Sequence, residues 1–512
     1  MINETRMTLT GGSRLFFDFS RAAFSQLEVE TEGRDGVVLH IVLGECLQNG
    51  RINKNPGGFR YCKEGDLELK SGQKCYEFPI PPRRLQQNNA YAVRACAPAE
   101  AGGKEVAPFR YVEVSGAVGP VTLIRREFFA DIRDDESGFL CENKDMEKLW
   151  DFCCYSIKAT GIFGKYVDGE RERVPYEGDT YINQLGHFCC AADYSVAKAT
   201  IEYFFEYWTW PMEWVLITPV LARDYMLYSG DCETVKKWVP ELEKKLLADL
   251  TGPDGLVRDG NGVITIVDWP RCERDDYEFG EANFVPNAVL MDALQAMYDI
   301  TGNEDYLRRR EQTCKSLREK MMTGNGKVVD SIGSSHTALH TVYSAIRSGV
   351  LNRDEAAFTA GFFYRKGMAC SVFGAQFLLE ACYMASCPQL ALDFMLSHDR
   401  CSWFHMMEKG STISMEAWDD AIKPNQDWNH AWGAAPANII PRFFCGIRPT
   451  KPGFRRFIVD PQNCGLQFSL KHPTPHGVIE WDSSGRLVVP AGTEAEFRGV
   501  ILPAGCHQLD LQ

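Results

Sequence analysis

Val167-Asp-Gly-Glu-Arg-Glu-Arg-Val-Pro-Tyr-Glu-Gly-Asp-Thr-Tyr181 places Asp168, Glu170, Glu172, Glu177 and Asp179 beside Arg171 and Arg173. Gly169, Pro175 and Gly178 predict a shaped loop here, set between two helical patterns. From about residue 146 to 447, within a domain expected over 131–447, the periodicity is helical, with roughly twelve patterns and no strand between them. Examples are Met146–Ile162, Val196–Tyr207, Met212–Ser229, Glu233–Leu250, Asn287–Thr301, Val372–Ala385 and Ala431–Cys445. A run of that kind is either an α-solenoid or a closed toroid of six helical hairpins. Solenoid repeats look alike, and no fixed repeat length recurs here. Irregular acidic and aromatic loops such as 167–181 fit the toroid, an (α/α)6 barrel whose loops at one end form a cup.

The flanks of the barrel read as β. Leu15–Ser20, Phe24–Glu30, Val37–Leu43 and Phe109–Ser115 are short, apolar and separated by Gly, Asn and Pro clusters, which predicts an N-terminal β-sandwich over 1–130. Residues 128–145 read as a polar crossing. After Ile447 short strands return, and 448–512 is expected to be a small C-terminal β-domain.

The totals restrict the partners. A 512-residue chain with 45% hydrophobic and 24% charged residues is an ordinary globular composition, long enough for several domains. A net charge of −14 without a basic run argues against nucleic acid and anionic membrane as partners. No apolar run reaches the roughly 20 residues that a bilayer span needs. No signal-like apolar segment follows Met1. The 19 cysteines form no Cys-x-x-Cys pair, as expected of reduced thiols in a cytoplasmic protein.

Four constellations carry chemistry. In the opening loop Glu172 stands between Arg171 and Arg173. An extended backbone would turn both arginines away from it, leaving Glu172 to face the cup. Arginines paired with Glu172 would instead favour its charged form, which suits a base. The second constellation is Gly410-Ser-Thr-Ile-Ser-Met-Glu416-Ala-Trp418, followed by Asp427-Trp-Asn-His430-Ala-Trp432. A Glu among small apolar residues needs a partner, because burying a charge is costly. The third is Asp268-Trp269, an acceptor next to a flat platform, and the fourth is the indole group Trp208-Thr-Trp-Pro-Met-Glu-Trp214. His430 has no second His at metal-ligand spacing, so neither a metal nor another cofactor is expected. Two carboxylates from distant loops among tryptophans point to glycoside hydrolysis, with one carboxyl protonating the leaving oxygen and the other acting on water or on the sugar.

Residues 168–179, Ser411–Asp419, Asp427–Trp432 and Gly446-Ile-Arg-Pro-Thr-Lys-Pro-Gly-Phe454 resemble, in that order, the motifs of the bacterial α-L-rhamnosidases, glycoside hydrolase family 78. The resemblance implies an (α/α)6 barrel and an inverting mechanism with Glu172 as general acid and Glu416 as general base. It implies that Asp168, Asp179 and His430 hold sugar hydroxyls and that Tyr176, Trp269 and Trp432 wall the subsite, with Asp268 and Trp418 as further carbohydrate contacts. Tyr176 stands where the family often has Trp, and Met415 stands where Trp is frequent before the second Glu. The extra N-terminal β-domains common in the family are absent, which leaves room for a homo-oligomer in which a neighbouring subunit completes the site. The alternatives are a non-catalytic carbohydrate-binding protein on the same barrel, and a lyase or a glycosidase for another sugar.

Overall fold

The computed structural model describes residues 1–81, 101–133, 135–324, 326–357 and 359–511. The N-terminal domain contains β1 (Ile2–Leu9), β2 (Arg14–Thr31), β3 (Val38–Gly44), β4 (Leu47–Gln48), β5 (Arg51–Ile52), β6 (Cys62–Glu68), β7 (Cys75–Phe78), β8 (Ala107–Ser115) and β9 (Val121–Phe128). Seven of these form one antiparallel sheet in the order β1-β9-β2-β8-β3-β6, with β7 on β2. The two strands expected at Leu15–Ser20 and Phe24–Glu30 are one continuous strand. Its pairing shifts register between Asp18 and Ala23, the kind of irregularity that bends a strand. Its first half pairs with β8 and its second half with β9 and β7. Leu15 and Phe17 from one half share a core with Leu27 and Val29 from the other. The sheet thus doubles over into the expected sandwich.

The barrel runs through α1 (Lys144–Thr160), α2 (Gly169–Glu172), α3 (Glu177–Cys190), α4 (Ser195–Glu206), α5 (Met212–Ser229), α6 (Cys232–Lys244), α7 (Phe284–Thr301), α8 (Glu304–Met321) and α9 (Leu339–Arg347). It continues with α10 (Arg353–Ala357), α11 (Ala360–Lys366), α12 (Val372–Met384), α13 (Pro388–Met395), α14 (Trp403–Glu408) and α15 (Pro436–Ile439). Helices α3, α5, α7, α9, α12 and α15 pack in succession, and α15 returns to α3, closing an inner ring. Burial separates the two layers. Every residue of α3 is buried, as are all of α12 except Met384, whereas α6 buries only Val235, Trp238 and Leu242. A helix apolar or buried all round belongs inside, and one with a single stripe belongs outside. Glycines in left-handed conformation stop α5 at Gly230 and α7 at Gly302. The pattern at Ala431–Cys445 is three short pieces: a 3-10 turn, α15 and a π-turn over Ile440–Phe444. Pro436 and Pro441 lack the N–H groups that one continuous α-helix would use.

The reading of 128–145 as a crossing is corrected. Gly138–Cys141 is a strand, β10, paired antiparallel with β13 (Phe468–Thr474) of the C-terminal domain. That domain has a five-stranded and a four-stranded sheet. Its Trp481 donates Nε1–H to Cys445 O at 2.9 Å, and its apolar side chains run into the core of the barrel.

Candidate active site

The N-terminal ends of the inner helices gather at one mouth, and nearly every residue singled out in the sequence lies there. Residues 167–181 are more regular than a loop. Gly169–Glu172 is one helical turn ending at Arg173, which is left-handed at φ 56°, and α3 already begins at Glu177. A turn so short has amide donors that its own backbone leaves unpaired. The second acidic segment supplies the acceptors: Glu170 N donates to Asn429 Oδ1 at 2.6 Å and Arg171 N to Asp427 Oδ2 at 2.8 Å. Gly169 is required by this approach, because a Cβ there would stand 2.3 Å from Asp427 Oδ2.

The helical turn overturns the extended geometry expected around Glu172. Only Arg173 points away, donating to Glu170, to Glu105 Oε1 at 2.8 Å and to Val106 O at 3.0 Å. Arg171 turns inward. Its Nη1 donates to Glu172 Oε1 at 2.5 Å, and its Nη2 lies 3.0 Å from Glu416 Oε1. One guanidinium therefore spans the two carboxylates. Glu172 also accepts from Tyr176 OH at 2.5 Å. Glu416 Oε1 meets Lys423 Nζ at 2.9 Å as well, whereas the buried Oε2 has no protein partner. Charge-assisted bonds of this kind hold a carboxylate in one orientation.

Asp168 Oδ1 accepts from Val174 N, beyond the end of the turn, at 2.8 Å, and its buried Oδ2 has no hydrogen-bond partner but lies 3.9 Å from Arg171 Nη2. Burial, and then the charge of Glu172, push the Asp168 carboxyl well above the usual range despite Arg171 nearby. Both effects favour the neutral form of Asp168. His430 lies between two aspartates, with Nε2 at 2.7 Å from Asp179 Oδ1 and Nδ1 at 3.1 Å from Asp427 Oδ1. Burial alone would lower its pKa; the two carboxylates prevail and hold it well above the usual histidine range. Burial likewise opposes ionisation of Asp427, but the His430 cation and the Arg171 amide bring it down to about 2. Glu416, Asp427 and His430 place ligand atoms within 4.8 Å of one another, the spacing of a metal site. Both ring nitrogens of His430 already face carboxylates, and two cations already contact Glu416, so the donor set is engaged within the protein.

The mouth is walled by rings. Tyr176 meets Trp214 edge-on at 5.8 Å, Trp214 meets Trp432 at 6.4 Å, and Phe373 stacks on Trp432 at 5.7 Å. Trp432 Nε1 donates to Glu416 O at 2.9 Å, tying the wall to the acidic segment.

A family model described as the bacterial alpha-L-rhamnosidase six-hairpin glycosidase domain matches residues 134–443. The chain belongs to the bacterial alpha-L-rhamnosidase family. The family's C-terminal domain model matches residues 446–508. An alpha-L-rhamnosidase of Alteromonas sp. (strain LOR) is 21% identical over 481 residues, covering 80% of this chain and 50% of its own length. The chain thus spans about half the length of that curated relative. Among solved structures, the alpha-L-rhamnosidase of Aspergillus terreus superposes with a TM-score of 0.77 at 16% identity, over 99% of this chain and 63% of that one. The rhamnose-bound Klebsiella oxytoca rhamnosidase gives a TM-score of 0.61 at 13% identity, over 85% of this chain and 88% of that one. These likenesses support the six-hairpin barrel with β-domains on both sides.

Within this rhamnosidase-family barrel, Tyr176 and Trp269 are half-buried at the mouth, and Asp168, Glu172, Asp179, Glu416, His430 and Trp432 are buried around it. Two expected sugar contacts are placed differently. Trp418 is fully buried, donates Nε1–H to Cys370 O at 2.8 Å and packs edge-on against Trp403. Asp268 is also fully buried, and both oxygens are committed: to His340 Nε2 at 2.8 Å, to Ser371 N at 2.9 Å and Ser371 Oγ, and to Trp269 N. Asp268 fixes the approach to Trp269 and the start of α12 rather than a ligand. Ser371 in turn caps α12, accepting from Phe373 N and Gly374 N at 3.1 Å each. Ser371→Ala is expected to cost about 1–2 kcal/mol of stability, read from the urea unfolding midpoint, with turnover nearly unchanged.

Sequence reasoning missed the bridging role of Arg171, the contact from Lys423, the acceptor roles of Asp427 and Asn429, and Phe373 in the wall, whereas Trp214 belongs to the indole group it had singled out. The alternation Asp427-Trp-Asn-His430 was the available signal for the acceptors, since period two puts Asp427 and Asn429 on one side. Among the described residues no helix is long and apolar enough to cross a membrane, and the described cysteines are free thiols.

Proposed function

We propose that this chain is an inverting exo-glycosidase that releases terminal α-L-rhamnosyl residues from oligosaccharides or small glycosides. The observation that carries this reading is the pair of buried carboxylates, Glu172 and Glu416, on the two arms of Arg171 at an aromatic-walled mouth. In the enzyme form that carries a proton on Glu172, against the preference of its Arg171 contact for the carboxylate, that carboxyl gives the proton to the glycosidic oxygen as the C1–O bond breaks. Glu416 takes a proton through Oε2 from a water that attacks C1 on the opposite face, so the configuration inverts. Asp168 and Glu172 face the same guanidinium, and the charge of Glu172 adds to burial in raising the Asp168 carboxyl. Asp179, oriented by His430, holds a sugar hydroxyl at the edge of the acidic cluster, with Tyr176, Trp269 and Trp432 packing the apolar face of the sugar.

A second reading has Asp168 as the proton donor. It is favoured by a carboxyl that burial pushes well above the usual range and by an Oδ2 that makes no hydrogen bond within the protein. In both readings the substrate is a neutral sugar, and the Streptomyces avermitilis structure, which carries L-rhamnose, and the Klebsiella oxytoca structure, which carries rhamnose, support that class.

The test is incubation with a panel of aryl α- and β-glycosides, following the first-formed anomer by NMR. Hydrolysis of the α-L-rhamnoside with β-L-rhamnose formed first is the expected outcome. First-formed α-L-rhamnose would overturn inversion, and turnover confined to another glycoside would overturn the sugar assignment.

A further inference from the structure

The N-terminal domain does not simply flank the barrel; one of its carboxyls reaches the catalytic segment. Glu45 follows β3 and is only 3% exposed. It is bracketed by Tyr61, with Glu45 N donating to Tyr61 O at 3.1 Å and Tyr61 N donating to Glu45 Oε2 at 2.5 Å. Its other oxygen, Oε1, accepts from Asn429 Nδ2 at 2.9 Å. The opposite end of the same Asn429 amide, Oδ1, accepts from Glu170 N at 2.6 Å. Asn429 is fully buried and can turn its amide only one way, because a carboxyl oxygen lies on one side and an N–H on the other.

The surrounding contacts hold this bridge at a fixed span. Gly58, at φ 56°, lies so close to the 424–426 backbone that a Cβ would stand 2.7 Å from Pro424 O and 2.8 Å from Gln426 O. Phe59 N donates to Gln426 O at 3.1 Å, and Arg60 pairs with Asp420 and covers the Trp428 ring. The 56–61 loop is thus moulded onto 420–429, the segment that also carries Lys423 and Asp427 and leads into His430. Burial pushes the Glu45 carboxyl up to about 8, against the two donors that favour its charge. Glu45 therefore acts here chiefly as a hydrogen-bonding group.

From this geometry we infer that Glu45 is a positioning residue for the reaction, holding the Asn429 amide so that it fixes the helical turn bearing Arg171 and Glu172. The relay runs from Glu45 Oε1 through Asn429 to Glu170 N, two residues before the proposed acid. Asp427 holds the next amide, so both donors at the start of α2 are set by one segment, and the β-domain sets that segment. The inference rests on the proposed role of Glu172. It adds that the barrel's proton donor is aligned by a domain outside the barrel.

Reversing donor and acceptor across the bridge tests this. Glu45→Gln alone keeps an acceptor for Tyr61 N and turns an NH2 group toward the Asn429 NH2. Asn429→Asp alone, assayed at about pH 9 where Glu45 is charged, sets one carboxylate against another. The double variant E45Q/N429D restores one donor facing one acceptor at every link. With 4-nitrophenyl α-L-rhamnoside as probe, each single variant is expected to lose about 30- to 100-fold in kcat with KM nearly unchanged, as for a misaligned catalytic group. The double variant is expected to return to within about threefold of wild type on the same argument. A double variant as slow as the product of the singles, or singles that lose only thermal stability, overturns the inference. Should one single variant not fold, rescue of the other by the double substitution decides. A wild type that ignores rhamnosides but cleaves another glycoside defeats the sugar assignment and leaves this test intact on that glycoside. A wild type with no turnover on any glycoside defeats both.

Discussion

Glu416→Gln is expected to lower kcat by about 10³-fold with KM little changed, the size of effect that loss of the proposed general base would produce. The substitution preserves volume, and the amide oxygen can still accept from Arg171 or Lys423. It removes the negative charge and the basicity of Oε2, the oxygen that no protein group occupies. Two cations then face a neutral amide, so a modest loss of stability accompanies the kinetic defect. Glu416→Ala opens space as well, and azide then attacks without needing deprotonation, so added azide is expected to restore turnover and yield the β-L-rhamnosyl azide. Stopped assays with and without azide, analysed by NMR, read both outcomes. Retention of more than a tenth of wild-type kcat in Glu416→Gln would remove Glu416 from the role of base.

The proton donor is distinguished by its leaving group. A dinitrophenolate departs without protonation, whereas an alkoxide does not. Glu172→Gln is therefore expected to lose about 10³-fold on an alkyl α-L-rhamnoside and to stay within about tenfold of wild type on the dinitrophenyl substrate, in line with general-acid catalysis. Asp168→Asn keeps the Oδ1 acceptor for Val174 N and is expected to affect both substrates alike. If the leaving-group dependence follows Asp168→Asn instead, Asp168 is the donor.

The same substitution has a signature in stability. The Asp168 carboxyl is raised in the folded state, so folded protein binds its proton over a range in which the unfolded chain has released it. Wild-type stability then falls as pH rises from the unfolded carboxylate value toward the folded one. Asp168→Asn removes this slope. Its stability relative to wild type is expected to improve as pH rises from 4 to 7, measured by urea denaturation across that range.

Much of the barrel was legible because its helices announce their own ends. Met212–Ser229 is found with the bounds read from sequence, since Pro211 precedes it and Gly230 takes the left-handed stop. The site was legible as a set of segments but not as contacts. Gly169, Pro175 and Gly178 read as loop-formers, and the turn at 169–172 exists because Asn429 and Asp427, some 260 residues away, accept its amides. No local propensity encodes that. Side-chain direction misled for the same reason: one helical turn puts Arg171 on the side of Glu172, whereas an extended strand would not. Trp418 and Asp268 drew attention through their chemistry, yet whether a ring or a carboxylate faces a cup or a core depends on packing that only the closed ring supplies. Glu45 carried no signal, being a lone acid after a strand in a domain without catalytic spacing.

The strand at Gly138–Cys141 bears on how the chain is made. It leaves the ribosome before the first barrel helix, while the strand it pairs with, Phe468–Thr474, emerges more than 300 residues later. Until then its hydrogen-bonding edge must wait, and the helices between are synthesised with their entry point unanchored. The final strands clasp the start of the barrel to its exit. Completion of the C-terminal sheet is thus the step at which a nascent catalytic domain acquires its last restraint.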